Sequence, residues 1–372
     1  MLPAAKSHRF SLADVLPNCL QALRGQRGSL GLPTVTHAIV VLVDGLGFEG
    51  LAGHRGHART LSARLDRDAP IDSGIPSTTA AALASLTTGT RPGEHGMVGY
   101  SVLDAARDRV VNQLTGWGPD GLDPERWQRS STVFERAREL GVHSVAIGRE
   151  RYRDSGFSAA VLRGADFQAG ETIEDRVTVA AQELHRAGPR LVYLYVPELD
   201  VAGHAKGVAS AEWTAALESF DAALAPLAAS LTGSQGLLVT ADHGMLDIAP
   251  EAHRIVAPGL LAGVRHVAGE PRGLQLHLEA GIDPDVVAEA WRASEGTRAW
   301  VATRSEAIAA GWFGEVNPEV LPRLGDVFVF ARRPIAYYVE PGDGGRGMVG
   351  QHGSLTPTER SIPLLRFGAF AR

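Results

Sequence analysis

The chain has 372 residues, 44% of them apolar and 21% charged, with a formal net charge of −6. That length admits one large α/β domain with an insertion, or two domains, and the acidic balance offers no basic face for nucleic acid. The single cysteine, Cys19, excludes an intrachain disulfide and a cysteine-based metal site, and no apolar run approaches the roughly 18 residues of a membrane span.

The N-terminal stretch MLPAAKSHRFSLADVLPNCLQALRG lacks an uninterrupted apolar core and a small-residue cleavage site, so it does not read as a signal peptide. A cytoplasmic protein is the expectation. HAIVVLVD (37–44) is a short continuous apolar run ending in an acid, the pattern of a strand buried on both faces of a mostly parallel sheet. TAAALASLTTG (79–89) is Ala- and Leu-rich and stopped by glycine, and TVFERARELG (132–141) has helical periodicity with a C-terminal glycine. HSVAIG (143–148) reads as a strand, IEDRVTVAAQELHRAG (173–188) as a helix, and RLVYLYV (190–196) as a second buried strand. SAEWTAALESFDAALAPLAASLTG (210–233) is a long amphipathic pattern that Pro226 should kink or divide. GLLVTADHG (236–244) repeats the buried-strand form. Strands alternating with helices predict an α/β protein with a mostly parallel central sheet and helices on both faces. Residues 98–130 have no clear period. Residues 251–344 carry their own mixed pattern, with GLQLHLEAG, a helix at DPDVVAEAWRAS and DVFVFARRPIAYYV, and are expected to form an inserted α+β cap on a core of 1–250 and 345–372.

Acids and histidines gather where the expected strands end. Asp44 closes the first; Asp200 and His204 follow YLYV in ELDVAGHAKG; Asp242 and His243 follow LLV in TADHG; His352 lies in GQHGS. Ligands of open α/β sheets bind outside the carboxyl ends of the strands, so these ends point to one crevice. Three Asp and three His with no Cys suit zinc and similar divalent metals. Six ligands exceed a single zinc site but divide between two ions, which can clamp the attacking and leaving oxygens of a phosphoryl displacement. Thr78 and Thr79, after Pro76 at a helix start, supply a candidate nucleophile where a phosphate would meet free N–H groups. Ser77 or Thr78 also suits a plain helix cap, and Asp44 before glycine suits a turn.

Gly45, Gly47 and Gly50 fall at GxGxxG spacing, which raises a dinucleotide-binding loop as an alternative. That reading needs an acid at the end of a second strand about 20 residues on. Asp66 and Asp68 are near enough, but LSARLDRDAP does not read as a buried strand. A NAD-dependent oxidoreductase therefore leaves the Asp–His pairs and the threonine helix without a role.

With these residues assembled, the order of parts resembles the alkaline phosphatase superfamily, and within it the nucleotide pyrophosphatase/phosphodiesterase branch. The parts are Asp44 after the first strand, Thr79 in PSTT, Asp200-x-x-x-His204, Asp242-His243 and the late His352-Gly, with TTGTRPGEHGMVGY similar to the family's segment after the nucleophile. The resemblance implies one zinc held by Asp200, His204 and His352 and another by Asp44, Asp242 and His243, with Thr79 bridging to the substrate. It implies that Thr79 attacks phosphorus and that water then cleaves the phosphothreonine. The expected substrate is a small phosphodiester or pyrophosphate of nucleotide type, with no nucleic-acid polymer and no membrane as partner.

One departure bears on substrate. Tyr100 stands where the family commonly has an asparagine contacting the phosphate, and a phenol donates one hydrogen bond from a different position than an amide. A phosphomonoester or phosphonate substrate at the same site is the alternative. Arg91, Arg149, Arg151 and Arg153 are candidate donors for the added charge, although surface solvation suits each better. Arginine abundance itself carries no weight: Lys6 and Lys206 are the only lysines, as a GC-rich genome would give. The sulfatase branch is disfavoured because its modified Cys or Ser motif is absent. The cap aromatics Trp291, Trp300, Trp312, Tyr337 and Tyr338 suit core packing better than base stacking.

Overall fold

The apolar run His37–Val43 is buried at every residue, and it lies between two strands of the same character. Arg190–Val196 pairs with it in parallel on one side and Gln235–Thr240 on the other. This computed structural model describes residues 2–5, 7–66, 68–118 and 121–371. Beyond Arg190–Val196 the sheet continues in parallel through His143–Gly148 and Asp166–Ala169, and Leu364–Gly368 closes the other edge antiparallel to Gln235–Thr240. The spatial order reverses around His37–Val43, with later strands on both sides, so the carboxyl ends of three neighbouring strands open on one crevice.

Helices cover this sheet, and local sequence sets their ends. Thr79–Thr88 is buried along its whole length and ends at Gly89, whose φ of 70° is the left-handed stop that glycine accepts without penalty. Val133–Glu139 and Ile173–Glu183 each begin with a reciprocal cap, Thr132 with Glu135 and Thr172 with Asp175. Ala211–Ser230 begins at the cap Ser210 and runs through Pro226 as one helix, so the expected division there does not occur. Pro226 lies on the exposed side, and so does Ala222, whose carbonyl loses its partner and faces water.

A second sheet, antiparallel and six-stranded among the described residues, stands beside the first in the order Ala299–Thr303, Val327–Ala331, Gly273–Leu278, Val264–Glu270, Ser101–Asp104, Arg109–Asn112. Four of these strands come from the stretch expected as a cap. The last two come from the 98–130 stretch that showed no period. Pro284–Glu295 packs Val287, Ala288 and Trp291 against this sheet, and Trp312 fills another apolar cluster with Phe328 and Phe330. No helix among the described residues is long and apolar enough to cross a membrane.

The two sheets are tied by a fully buried ion pair. Arg272, at the turn before Gly273–Leu278, meets Glu359 through Nε–Oε1 at 2.7 Å and Nη2–Oε2 at 2.8 Å. Its Nη1 donates to the carbonyls of Arg333 and Ile335 at 3.1 and 2.7 Å. Glu359 also accepts from the Ser354 N–H and the Thr356 hydroxyl. The pair thus holds the turn that carries His352. Replacing one member leaves the other charge buried without a counter-ion, so Glu359→Ala should destabilise the protein by about 3–5 kcal/mol. Denaturant unfolding measures this, and a loss below about 1 kcal/mol, the scale of an exposed pair, would contradict it.

Candidate metal and catalytic centre

Asp44 is the first residue past His37–Val43, and its N–H still donates to the Val196 carbonyl at 2.9 Å, extending the ladder by one bond. Asp242 and His243 follow Gln235–Thr240. Asp200 and His204 lie one turn apart on Glu198–Lys206, which places both on the same helix face. His352 follows the short strand Gly350–Gln351. The chain brings these six together as two trios, Asp44 with Asp242 and His243, and Asp200 with His204 and His352, with the ligand atoms of each trio within 4.8 Å of one another. The rings of His243 and His352 stack at 3.5 Å, so the trios adjoin.

The hydrogen bonds fix which atoms face inward. Nδ1 of His204 lies 2.8 Å from the Gly350 carbonyl, Nδ1 of His352 lies 2.9 Å from the Ser77 carbonyl, and Nδ1 of His243 lies 3.2 Å from the Gly244 carbonyl. A carbonyl only accepts, so each Nδ1 carries the proton and each Nε2 presents a lone pair. Those lone pairs face carboxylate oxygens. His243 Nε2 is 3.3 Å from Asp44 Oδ1 and 3.3 Å from Asp242 Oδ2; His204 Nε2 is 3.3 Å from Asp200 Oδ1. Asp44 Oδ1, Asp242 Oδ2 and Asp200 Oδ1 are buried and have no donor. The other oxygens of the first two are satisfied: Tyr195 donates to Asp44 Oδ2, and the N–H groups of Gly45 and His243 donate to Asp242 Oδ1 at 3.1 and 3.0 Å. Acceptors facing acceptors repel unless a cation lies between them. Carboxylate and imidazole are zinc-type donors, and three from each trio leave positions open for a reacting ligand. The residues fit two divalent ions.

Electrostatics agree. Burial, then the Asp44 charge, pushes Asp200 up to about 8, with His204 opposing. Burial likewise raises Asp44 and Asp242, and the two titrate as a pair. Burial and the neighbouring imidazoles hold His243 well below the usual histidine range and His352 at about 3.

Thr79 is the first residue of Thr79–Thr88, with Thr78 at the cap position making no side-chain cap bond. Its hydroxyl is 3.1 Å from His243 Nε2, at the edge of the first trio. Tyr100, 40% exposed, shares the wall of a cavity of about 640 Å³ with Thr79, His204 and His352. The arginines considered as phosphate donors are engaged elsewhere: Arg149 pairs with Glu198 at 2.7 Å, Arg153 with Glu150 at 2.7 Å, Arg151 lies over the Tyr152 ring, and Arg91 points to the Gly311 carbonyl at 3.5 Å. The glycines at 45–50 have a different purpose from dinucleotide binding. Gly45 has a φ of 75°, and a Cβ on Gly47 would fall 2.6 Å from the Gly244 Cα, so these residues let the loops bearing Asp44 and His243 touch. The segment Arg59–Leu65 is a helix, which removes the second strand a dinucleotide site requires. Tyr195 and the Ser77 and Gly350 carbonyls escaped the sequence reading. A tyrosine one residue before a strand end was a signal for the first, and backbone acceptors leave no signal.

Without metal, the three acids hold protons that the unfolded chain would release near pH 4. Their stabilising contribution is therefore present at low pH and lost as pH rises through the folded values, about 8 for Asp200. The depressed histidines act oppositely, losing stability only as pH falls below about 6.5. Chelated protein should thus melt at progressively lower temperature between about pH 6.5 and 8.5, and added divalent metal should restore most at the alkaline end. A melting temperature that rises over that interval without metal would contradict the placement of these acids.

A model of the type I phosphodiesterase / nucleotide pyrophosphatase family matches residues 38–355. The chain is 24% identical over 221 residues to an uncharacterised pyrophosphatase/phosphodiesterase of Schizosaccharomyces pombe, covering 56% of this chain and 44% of that protein, so it spans under half of that relative's length. Murine ectonucleotide pyrophosphatase/phosphodiesterase 5 has a similar structure, with a TM-score of 0.67 at 17% identity, covering 88% of this chain and 87% of that one. Phosphonoacetate hydrolase from Sinorhizobium meliloti, in complex with phosphonoformate, gives 0.69 at 19% identity, covering 90% and 91%. At these identities the two structures speak to the fold. The family match takes in Asp44, Thr79, both Asp–His pairs and His352: the chain belongs to the type I phosphodiesterase / nucleotide pyrophosphatase family.

Proposed function

We propose that the protein is a two-metal, zinc-type hydrolase of small phosphodiesters or pyrophosphates of nucleotide type, acting through Thr79. The observation that carries this reading is the convergence of three imidazole lone pairs on three donorless carboxylate oxygens, 3.1 Å from the Thr79 hydroxyl at its nearest approach. Two divalent ions held there would neutralise the phosphoryl oxygens and lower the pKa of the Thr79 hydroxyl and of a hydrolytic water. Thr79 Oγ1 attacks phosphorus as the alcohol or phosphate oxygen departs, and water then releases the retained half from the phosphothreonine. Burial of Thr79 at the head of a rigid helix fixes the direction of attack.

A second, apolar cavity of about 400 Å³ opens from Asp44, Thr79 and Asp200, lined by Ile147, Tyr152, Phe157 and Phe167. It suits the retained group, and a planar base would find ring faces there. Murine ectonucleotide pyrophosphatase/phosphodiesterase 5 has been solved in an inactive form with AMP, which supports a nucleotide ligand. The phosphonoacetate complex of the bacterial hydrolase keeps a phosphonate or monoester as the second reading. None of Arg91, Arg149, Arg151 and Arg153 lines either cavity at the site, which favours the diester, since none stands where it would meet the extra charge of a monoester. The cap at 251–344 would wall the leaving-group side, with Tyr100 at its rim.

Zinc-loaded protein should hydrolyse a p-nitrophenyl nucleotide diester well ahead of p-nitrophenyl phosphate. Thr79→Ala should lower diester turnover at least about 10³-fold, and rapid quenching of the wild type should trap the retained nucleotide, linked through its phosphorus, on the peptide containing Thr79. Unchanged turnover in Thr79→Ala would contradict the assignment of the nucleophile.

A further inference from the structure

Two tyrosines of the strand Arg190–Val196, Tyr193 and Tyr195, project from the same face, as alternate residues of a strand do. Their hydroxyls fare differently. Tyr195 is level with Leu42 in the neighbouring strand, two residues short of Asp44, and its hydroxyl donates to Asp44 Oδ2. Tyr193 lies two residues earlier, with its ring centroid 6.3 Å from that of Phe134, and its buried hydroxyl meets no partner. One phenol holds a metal-type ligand, and the other, of the same chemistry, does not.

The Tyr195 bond decides how Asp44 stands. With Oδ2 held by the phenol, Oδ1 is the oxygen turned to His243 Nε2, 3.3 Å away, and it has no donor of its own. The Thr79 hydroxyl meets the same Nε2 at 3.1 Å, so the atom that Tyr195 orients adjoins the nucleophile as well as the ion site. The ring of Tyr195 has a separate setting. It lines the apolar cavity of about 400 Å³, where the Tyr152 ring meets it edge-on with centroids 5.8 Å apart. Arg151 donates to the Tyr152 hydroxyl at 2.8 Å, which helps keep that second ring in place.

We propose that Tyr195 is a positioning residue that joins the retained-group cavity to the Asp44-side ion. Its ring forms cavity wall, and its hydroxyl holds Asp44 with Oδ1 towards the cation. Hydrogen-bond partners of metal-ligating groups set the orientation of those groups, and their loss typically weakens metal binding about 10–100-fold. A retained group that fills the cavity packs against the Tyr195 ring and steadies the bond behind it. Its binding energy then acts on the reacting centre, raising kcat as well as lowering KM. The assignment of the cavity to the retained group rests on the phosphodiesterase reading above; the hold on Asp44 does not.

The first test is zinc release from loaded protein to a chelating indicator. Tyr195→Phe should weaken one of the two bound equivalents at least about tenfold and leave the other within about twofold. The weakened equivalent should be the one that His352→Ala protein retains. Tyr193→Phe removes a hydroxyl from the same face and should leave both equivalents within about twofold of the wild type. The second test compares two p-nitrophenyl diesters, one with a nucleotide and one with a methyl group as the retained half, with zinc in excess. The wild type should turn over the nucleotide diester with the higher kcat and the lower KM. Tyr195→Phe should lose most of the kcat advantage and keep the KM advantage, because the ring still walls the cavity. Zinc affinities untouched by Tyr195→Phe, or altered equally by Tyr193→Phe, would overturn the proposal. So would a kcat advantage that is absent from the wild type or survives Tyr195→Phe. If the wild type cleaves neither diester while Tyr195→Phe still loosens one zinc, the phosphodiesterase reading falls, and the link to the cavity with it, while the hold on Asp44 stands. Wild-type protein that binds no zinc overturns both.

Discussion

Asp44, Asp200 and Asp242 are carried by three separate segments into one buried crevice, where each presents an oxygen that no donor reaches. Bringing like charges together in low dielectric is among the costlier arrangements a fold can hold. The protein makes it more demanding by locking three imidazoles with their protons turned away, on the carbonyls of Ser77, Gly244 and Gly350. Nothing in the chain completes this arrangement. A pair of divalent cations would, and the surrounding contacts hold the acceptors in place.

That arrangement depends on contacts between distant segments. The Ser73 hydroxyl donates to the Asp242 carbonyl, and the Ser77 hydroxyl donates to the Ser354 carbonyl at 2.6 Å, tying the loop before Thr79 to two ligand-bearing turns. Glu359 holds the Ser354 N–H and the Arg272 guanidinium together, so the second sheet braces the His352 turn through a pair with all its principal donors and acceptors met. Stacking of His243 on His352 then joins the two trios directly. The second sheet therefore both frames a cavity and positions part of the site.

Much of the core was legible in the sequence for a plain reason. A strand covered on both faces is apolar throughout, so HAIVVLVD, RLVYLYV and GLLVT announce themselves, and the polar residue that ends each run marks the crevice. The strands Ser101–Asp104 and Arg109–Asn112 did not, because they are short and near the edge of a half-exposed sheet, where alternation over four residues is a weak signal. Pro226 misled because its cost depends on which side of the helix faces water. The ligand-type residues were visible as types at strand ends, and their division into trios came only with the family resemblance; it is the strand order that brings Asp44 beside Asp242. Glu270 was invisible as a neighbour of the His352 turn, since only the missing Cβ of Gly353, in another segment, leaves room for its carboxyl.

The most direct test of the account is the metal content of the folded chain. Protein loaded with zinc and freed of excess should hold two equivalents by elemental analysis, and His352→Ala should hold one while remaining folded. One equivalent or none in the wild type would mean that the donorless oxygens of Asp44, Asp200 and Asp242 are reconciled in another way, and that two-cation chemistry is not what this crevice was built for.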